Sequence, residues 1–502
     1  MSIASMKSHL AHWREWELNP IVIKELRQAV RSWAVTGMLL LFLLVLFIAS
    51  LGFLITNTFD NDANLQLGAG LFTTFLVILT ISSVFFIPLY VGIRVAAERQ
   101  ENNPDLLYVS TLSPFRIIFG KFLCGAYMAI LFFSACMPFM AFTNLLRGVD
   151  LPTVFFILSF LFLVVCAANM VAIFLACLPL SRPFKFLFIL YGIGQSITLI
   201  VPLMYLSFRM MESGIGAMMA RREIWIGVIT DVGLILAVIG LFFTLAVALI
   251  SPQSSNRALP VRLYVTIIWL LGGVASLIWV IQTKNGYLML SWTYSTFILM
   301  MLSLLVVVSN VDRLSLRVRR TIPASAIKRI PAFFFFNGAA GGLLWIAGIL
   351  TVTYFTARWV IHVYPPTIAV EENRHWFVTT AAYAFDYSLT ALFIQRKYLS
   401  KRPSKMAGIL AVFLAALWAI FPTIVLFFLN QLSWKSVEGL ELGNVFNLFV
   451  QHDERERRLH QLFALGWLLL AMLINAPWFV RQMKNFRPLA RISSEAAPPV
   501  LN

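Results

Sequence analysis

Uninterrupted apolar stretches of about twenty residues recur along the chain from Ala34 to Val480. A helix needs roughly 20 such residues to cross the ~30 Å hydrocarbon core of a bilayer. Lipid offers no hydrogen bonds, so each spanning backbone must satisfy its own polar groups, as a helix does. The recurrence therefore predicts an all-α fold: a polytopic transmembrane helical bundle of about 12 spans. In the first half the expected spans are 34–57, 69–93, 119–145, 152–180, 184–208 and 224–250. The second half offers 261–283, 287–309, 333–356, 376–395, 407–430 and 461–480. A composition of 60% hydrophobic and 12% charged residues agrees, because water could not solvate the surface it implies.

The net charge of +17 would point to nucleic acid in a soluble chain. Here it has another source. Lys and Arg concentrate in the short cytoplasmic loops of membrane proteins, so no nucleic-acid partner is expected. With the N-terminus inside, 28 of the 39 Lys and Arg residues fall on the cytoplasmic side, which places both termini there. Arg209, Arg221 and Arg222 run against this bias on the exterior side. Arg455, Arg457 and Arg458 do so too, but they are interleaved with Asp453, Glu454 and Glu456. Cys124, Cys136, Cys166 and Cys177 lie in apolar stretches without Cys-x-x-Cys spacing and read as small buried hydrophobes. No small-residue cleavage site follows the first apolar run, which is expected to be a permanent span.

Two polar segments are patterned rather than loose. Residues 1–33 form a cytoplasmic surface region in which Asn19 caps a helix opening on Pro20. Ile23, Leu26, Val30 and Trp33 are expected on its apolar face; Lys24, Arg27, Gln28 and Arg31 are expected on the other. Such a helix, with Glu25, Arg27 and Arg31 among its charged residues, would lie on the membrane surface and meet lipid headgroups. The second segment, 98–121, reads ERQENNPDLLYVSTLSPFRIIFGK. Asn103 before Pro104 and Ser113 before Pro114 each signal a helix start, predicting two short helices joined near Leu112.

These segments resemble the membrane subunits of ATP-binding-cassette transporters of the second type, permeases that export lipids, polysaccharides and drugs. The resemblance rests on NPIVIKELRQAVRS at 19–32, just before the first span. It rests also on Glu98 through Lys121, which is similar to the family pattern E-x-E-x-x-T-x-E-L-L-x-x-T-P-L-S-x-x-x-I-x-x-G-K. Asn103 and Pro104 stand where Gly or Thr is usual, Asp105 replaces Glu, and Leu112-Ser113-Pro114 permutes the Thr-Pro-Leu-Ser order. The resemblance covers about residues 18–250, making 34–250 a six-span permease unit. Residues 251–502 form a second six-span region. There TIPASAIKRIP, within 310–332, sits after the eighth span as TLSPFRIIFGK sits after the second, which suggests either a diverged repeat or an unrelated extension.

The resemblance implies ATP-driven export of an unidentified substrate across the cytoplasmic (inner) membrane. No Gly-x-x-x-x-Gly-Lys-[Ser/Thr] occurs in the chain. It implies, then, no enzyme activity or cofactor in this chain and a separate cytoplasmic ATPase subunit that binds the ATP. Glu98, Arg99, Glu101, Asp105, Leu106, Leu107, Pro114 and Arg116 would form the coupling element that receives that subunit. One chain would supply both membrane halves if the second region is a repeat; otherwise the unit would be a homodimer.

Asp231 and Asp386 fall inside predicted spans, where an ionisable group is expensive. They are candidates for a translocation path, or else Asp231 lies near the water boundary and Asp386 is protonated or paired. His362, His375, His452 and His460 fall in predicted exterior loops, and His9 and His12 are three residues apart; no metal site is expected from this spacing. Gly338-x-x-x-Gly342 predicts close helix packing within the chain. Phe333 to Phe336, Trp345 and Trp359 read as interfacial anchors. Two other function classes suit many spans: an ion-coupled secondary transporter, and a membrane-embedded enzyme acting on a lipid-linked substrate through groups such as Glu372 or His375.

Overall fold

A computed structural model describes residues 20–58, 67–100, 113–146, 149–178, 220, 222–252, 254–310, 314–365, 373–404, 406–428, 442–449 and 454–488. Among these the fold is helical, with no strand. Ten helices are long and apolar enough to cross a membrane, and the chain is a multi-pass helical membrane protein. The expected fifth span, 184–208, lies outside the described residues. The expected eleventh is a helix, Met406–Phe428, apolar along its length.

The chain divides into two compact units, Met1–Pro252 and Gln253–Asn502. The first holds α1 (Pro20–Val30), α2 (Trp33–Thr58), α3, α4 (Pro114–Leu145), α5 (Leu151–Cys177) and α6 (Arg222–Ile250). Helix α3 runs as Leu67–Ile81, a π-helical turn Ser82–Phe86, and Ile87–Gln100. The π turn has a local cause: Pro88 lacks an amide and crowds the carbonyl four residues before it, at Val84, so the helix widens one turn earlier. Leu71, Phe72, Phe75, Phe132, Cys136, Leu161 and Ile173 fill the core between α3, α4 and α5. All four cysteines are buried and free. Gly125 admits Asn169 of α5, whose amide donates to Phe122 O at 3.3 Å; a Cβ at position 125 would lie 2.1 Å from Asn169 Nδ2.

The second unit holds α7 (Ala258–Thr283), α8 (Tyr287–Val308), α9 (Leu316–Arg320), α10 (Ala326–Phe335), α11 (Ala339–Val363), α12 (Asn373–Lys397), α13 (Met406–Phe428) and α14 (Glu454–Asn485). Outer faces of both units carry large exposed apolar side chains, such as Leu44, Phe47 and Leu51 on α2 and Leu469, Leu470 and Leu473 on α14. Lipid solvates such faces without cost.

Several expected boundaries are corrected. The segment after Ser113 is not a short helix but the start of α4. Ser113 accepts from Arg116 N at 3.4 Å, Pro114 opens the first turn, and no breaker intervenes before the apolar run, so the helix continues into the span. Phe333, Phe334 and Phe335 do not begin the ninth span; they end α10, which is separated from α11 by a break at Gly338 with φ +133°. Arg455, Arg457 and Arg458 are not loop residues but occupy the first turns of α14, where Arg458 pairs with Glu454 at 3.3 Å.

Candidate functional site

Helix α1 begins at Pro20, and Asn19 lies outside the described residues. Its inward face differs from the one expected. Val22, Glu25 and Ala29 are buried, whereas Ile23, Val30 and Trp33 are exposed. The rotation is explained by one charge. Glu25 was expected among the solvated charges, but it turns inward because Lys121 of α4 donates to its Oε1 at 3.0 Å.

Lys121 also meets Glu98 Oε2, at 2.5 Å, and Lys24 lies 3.7 Å from the other Glu98 oxygen. The Lys121 and Glu25 side chains are each 8% exposed and Glu98 is 31% exposed. A buried cation is stable only when paired and hydrogen-bonded. Lys121 has two carboxylates from two other helices. One ammonium thus joins the surface helix α1 to the end of α3 and the first turns of α4. The periodicity of α4 places it there: Ile117, Ile118, Lys121 and Cys124 share its buried face.

Of the expected coupling residues, Glu98 and Pro114 flank the cluster and Arg116 is exposed on the first turn of α4. Arg99 is helical. Glu101, Asp105, Leu106 and Leu107 lie outside the described residues. Lys121 is the residue that sequence reasoning passed over. A lone Lys inside IIFGKFLCG is itself a signal, because such a charge demands a partner. Arg27 and Arg31 are exposed, and Arg94 of α3 hydrogen-bonds Gln28 of α1.

The second unit buries its polar groups differently. Arg262 is buried in α7. It donates to the carbonyls of Phe334 and Phe336 at 2.8 Å and of Gly338 at 3.1 Å. The break between α10 and α11 frees those carbonyls. Gly342 lets the guanidinium in: a Cβ there would meet Arg262 Nη2 and Val307 Cγ1, each at 2.5 Å. Gly342 thus serves packing within the chain, whereas Gly338, with open space around it, supplies the φ of +133° at the break.

Elsewhere in that unit, Tyr383, Asp386, Tyr387 and Thr390 share one face of α12 against α14. Tyr383 Oη lies 3.0 Å from His460 Nδ1 and accepts from Gly443 N at 3.2 Å, while Tyr387 donates to Gly443 O. His460 was expected in a loop but is buried on α14. Asp386 is fully buried, and among the described residues neither carboxylate oxygen has a hydrogen-bond partner. Asp231, by contrast, is exposed on α6, and the two belong to different units. Among the described residues no three His, Cys, Asp or Glu side chains converge as metal ligands. His362 is exposed; His9, His12 and His452, and the side chain of His375, lie outside the described residues. No protein-family model, no curated protein and no solved structure matches the chain.

Proposed function

We propose that the chain is the membrane subunit of an ATP-driven exporter of the second ATP-binding-cassette type, set in the cytoplasmic membrane with both termini inside. The Lys121 cluster carries this reading. The strip between α3 and α4 is the expected seat of a separate ATPase subunit, and Glu98 at one end and Lys121 beyond the other are tied to each other and to α1. A push on that strip would reach two spans and the surface helix together, because breaking a buried pair costs about 3–5 kcal/mol. Glu98 serves this linkage rather than the docking surface. Docking falls to Arg99, Glu101, Asp105, Leu106, Leu107 and Arg116. Leu106→Asp with Leu107→Asp should abolish co-purification of an ATPase subunit with the tagged chain while membrane insertion persists. Labelling of a cysteine placed at Asn103 from outside intact cells would put the strip on the wrong side and end the reading.

Asp386 favours a second reading, an ion-coupled secondary transporter. A carboxylate that is buried in a span and has no partner is expensive and belongs to ion paths. Vesicles holding the purified chain should then pass protons or sodium down an imposed gradient, and Asp386→Asn should stop the flux. Flux that depends on ATP and an added ATPase, and that survives Asp386→Asn, would leave the exporter reading alone.

A further inference from the structure

The two faces of α1 differ in how their charge is met. Inward, Glu25 is matched by Lys121. Outward, Lys24, Arg27 and Arg31 follow one another at intervals of three and four, and Arg94 rises beside them from α3. With Ile23, Gln28 and Ser32 these four cations line an open depression of about 740 Å³. Lys24 shares Glu98 with Lys121, but among the described residues no carboxylate pairs with Arg27, Arg31 or Arg94. Gln28 holds Arg94 in place through a neutral hydrogen bond that leaves its charge uncompensated.

Three unmatched guanidinium groups in one hollow repel one another unless an anion sits among them. The surroundings say which anion. Val30 is 69% exposed and Trp33 is 88% exposed, at the point where α1 gives way to the membrane span α2. The hollow is basic, and Val30 and Trp33, outside its lining but next along the chain to Arg31 and Ser32, are exposed apolar side chains at the entry to a span, where tryptophan favours the membrane interface. A soluble polyanion would leave those two side chains in water. A phosphate attached to acyl chains would fill the hollow and cover them.

We propose that this depression is a binding site for the headgroup phosphate of an anionic glycerophospholipid, held by Arg27, Arg31 and Arg94, with the acyl chains along Val30 and Trp33. Guanidinium groups suit the role because their planar donors match phosphate oxygens in pairs. The bound lipid would brace α1 against α3 from the outside, as Lys121 does from the inside.

The test uses the full chain purified in an uncharged detergent, with retained lipids counted by native mass spectrometry and the apparent thermal midpoint followed during titration. Phosphatidylglycerol should bind at low stoichiometry and raise the midpoint; phosphatidylcholine and inorganic phosphate should do neither. Juxtamembrane basic residues contribute about 1 kcal/mol each toward anionic lipid, so the Arg27→Gln, Arg31→Gln, Arg94→Gln variant should lose roughly 100-fold in apparent affinity. The three corresponding Arg→Lys changes should lose far less. Removing as many charges elsewhere, by Arg481→Gln, Lys484→Gln and Arg487→Gln, should change nothing; all three are exposed on or just after α14. Equal phosphatidylglycerol binding by the first variant and the wild type would overturn the site, as would equal retention of phosphatidylcholine. Stabilisation by inorganic phosphate alone would show a free-anion site and overturn the lipid assignment.

Discussion

Among the described residues each unit buries one strong cation, and the two are satisfied by opposite means. Lys121 is met by charge: two carboxylates from separate helices converge on one ammonium. Arg262 is met by backbone: three carbonyls, freed where α10 ends and α11 begins, take its donors, and the Trp345 ring lies 5.9 Å away. A lysine needs counter-charge because it is a compact point charge, whereas a guanidinium spreads its charge over a planar fork that neutral dipoles can solvate. The first arrangement ties a surface helix to two spans. The second stitches a helix break shut. Charge can link elements that differ in direction, while carbonyl capture works only where a helix end exposes its last acceptors.

This contrast can be broken in order of expected cost. Lys121→Met leaves the buried Glu25 without its cation, while the part-exposed Glu98 keeps Lys24, and should cost about 3–5 kcal/mol, read as a large fall in apparent thermal midpoint or in folded yield. If the cause is the stranded carboxylate, adding Glu25→Gln should restore part of the loss; no recovery would locate the effect in packing instead. Arg262→Met strands only neutral carbonyls, so its cost should be smaller, about 1–3 kcal/mol in the same assay. A penalty equal to that of Lys121→Met would erase the proposed distinction.

Gly342→Ala tests the geometry rather than the charge. The added methyl must displace the Arg262 guanidinium or Val307, at a cost of about 1–3 kcal/mol. In an Arg262→Met background that cost should shrink, which a double-mutant cycle reads directly. At the bottom of the scale stands the exposed Arg458–Glu454 pair on α14. Glu454→Gln should change the stability by no more than about 0.5 kcal/mol, leaving the thermal midpoint almost unmoved, since exposed i,i+4 pairs are screened by water and salt.

Much of the fold was legible in sequence for a reason particular to membrane proteins. Lipid makes length and hydropathy decisive, so among the described residues the apolar runs appear as helices, with ends displaced from the expected bounds by up to seven residues. Helix punctuation read well too: Pro20 opens α1 and Ser113-Pro114 opens α4. Charge was read less well. Lys121 and Arg262 fall just inside the starts of expected spans, where the cytoplasmic bias of Lys and Arg says nothing of their burial. Helical periodicity also misjudged α1, because it sorts side chains by polarity and so set Ile23, Val30 and Trp33 on the inner face, where Val22, Glu25 and Ala29 lie.

The apolar periodicity and the lack of any soluble-like composition determined by themselves that this chain is a multi-pass helical membrane protein, because each span satisfies its own backbone locally and needs no partner to be recognised. Which charges are buried, which helices they join and which arginines stay unmatched were decided only by tertiary structure. Those outcomes depend on residues 23 to 96 positions apart meeting within about 3 Å, and no local pattern encodes such a meeting.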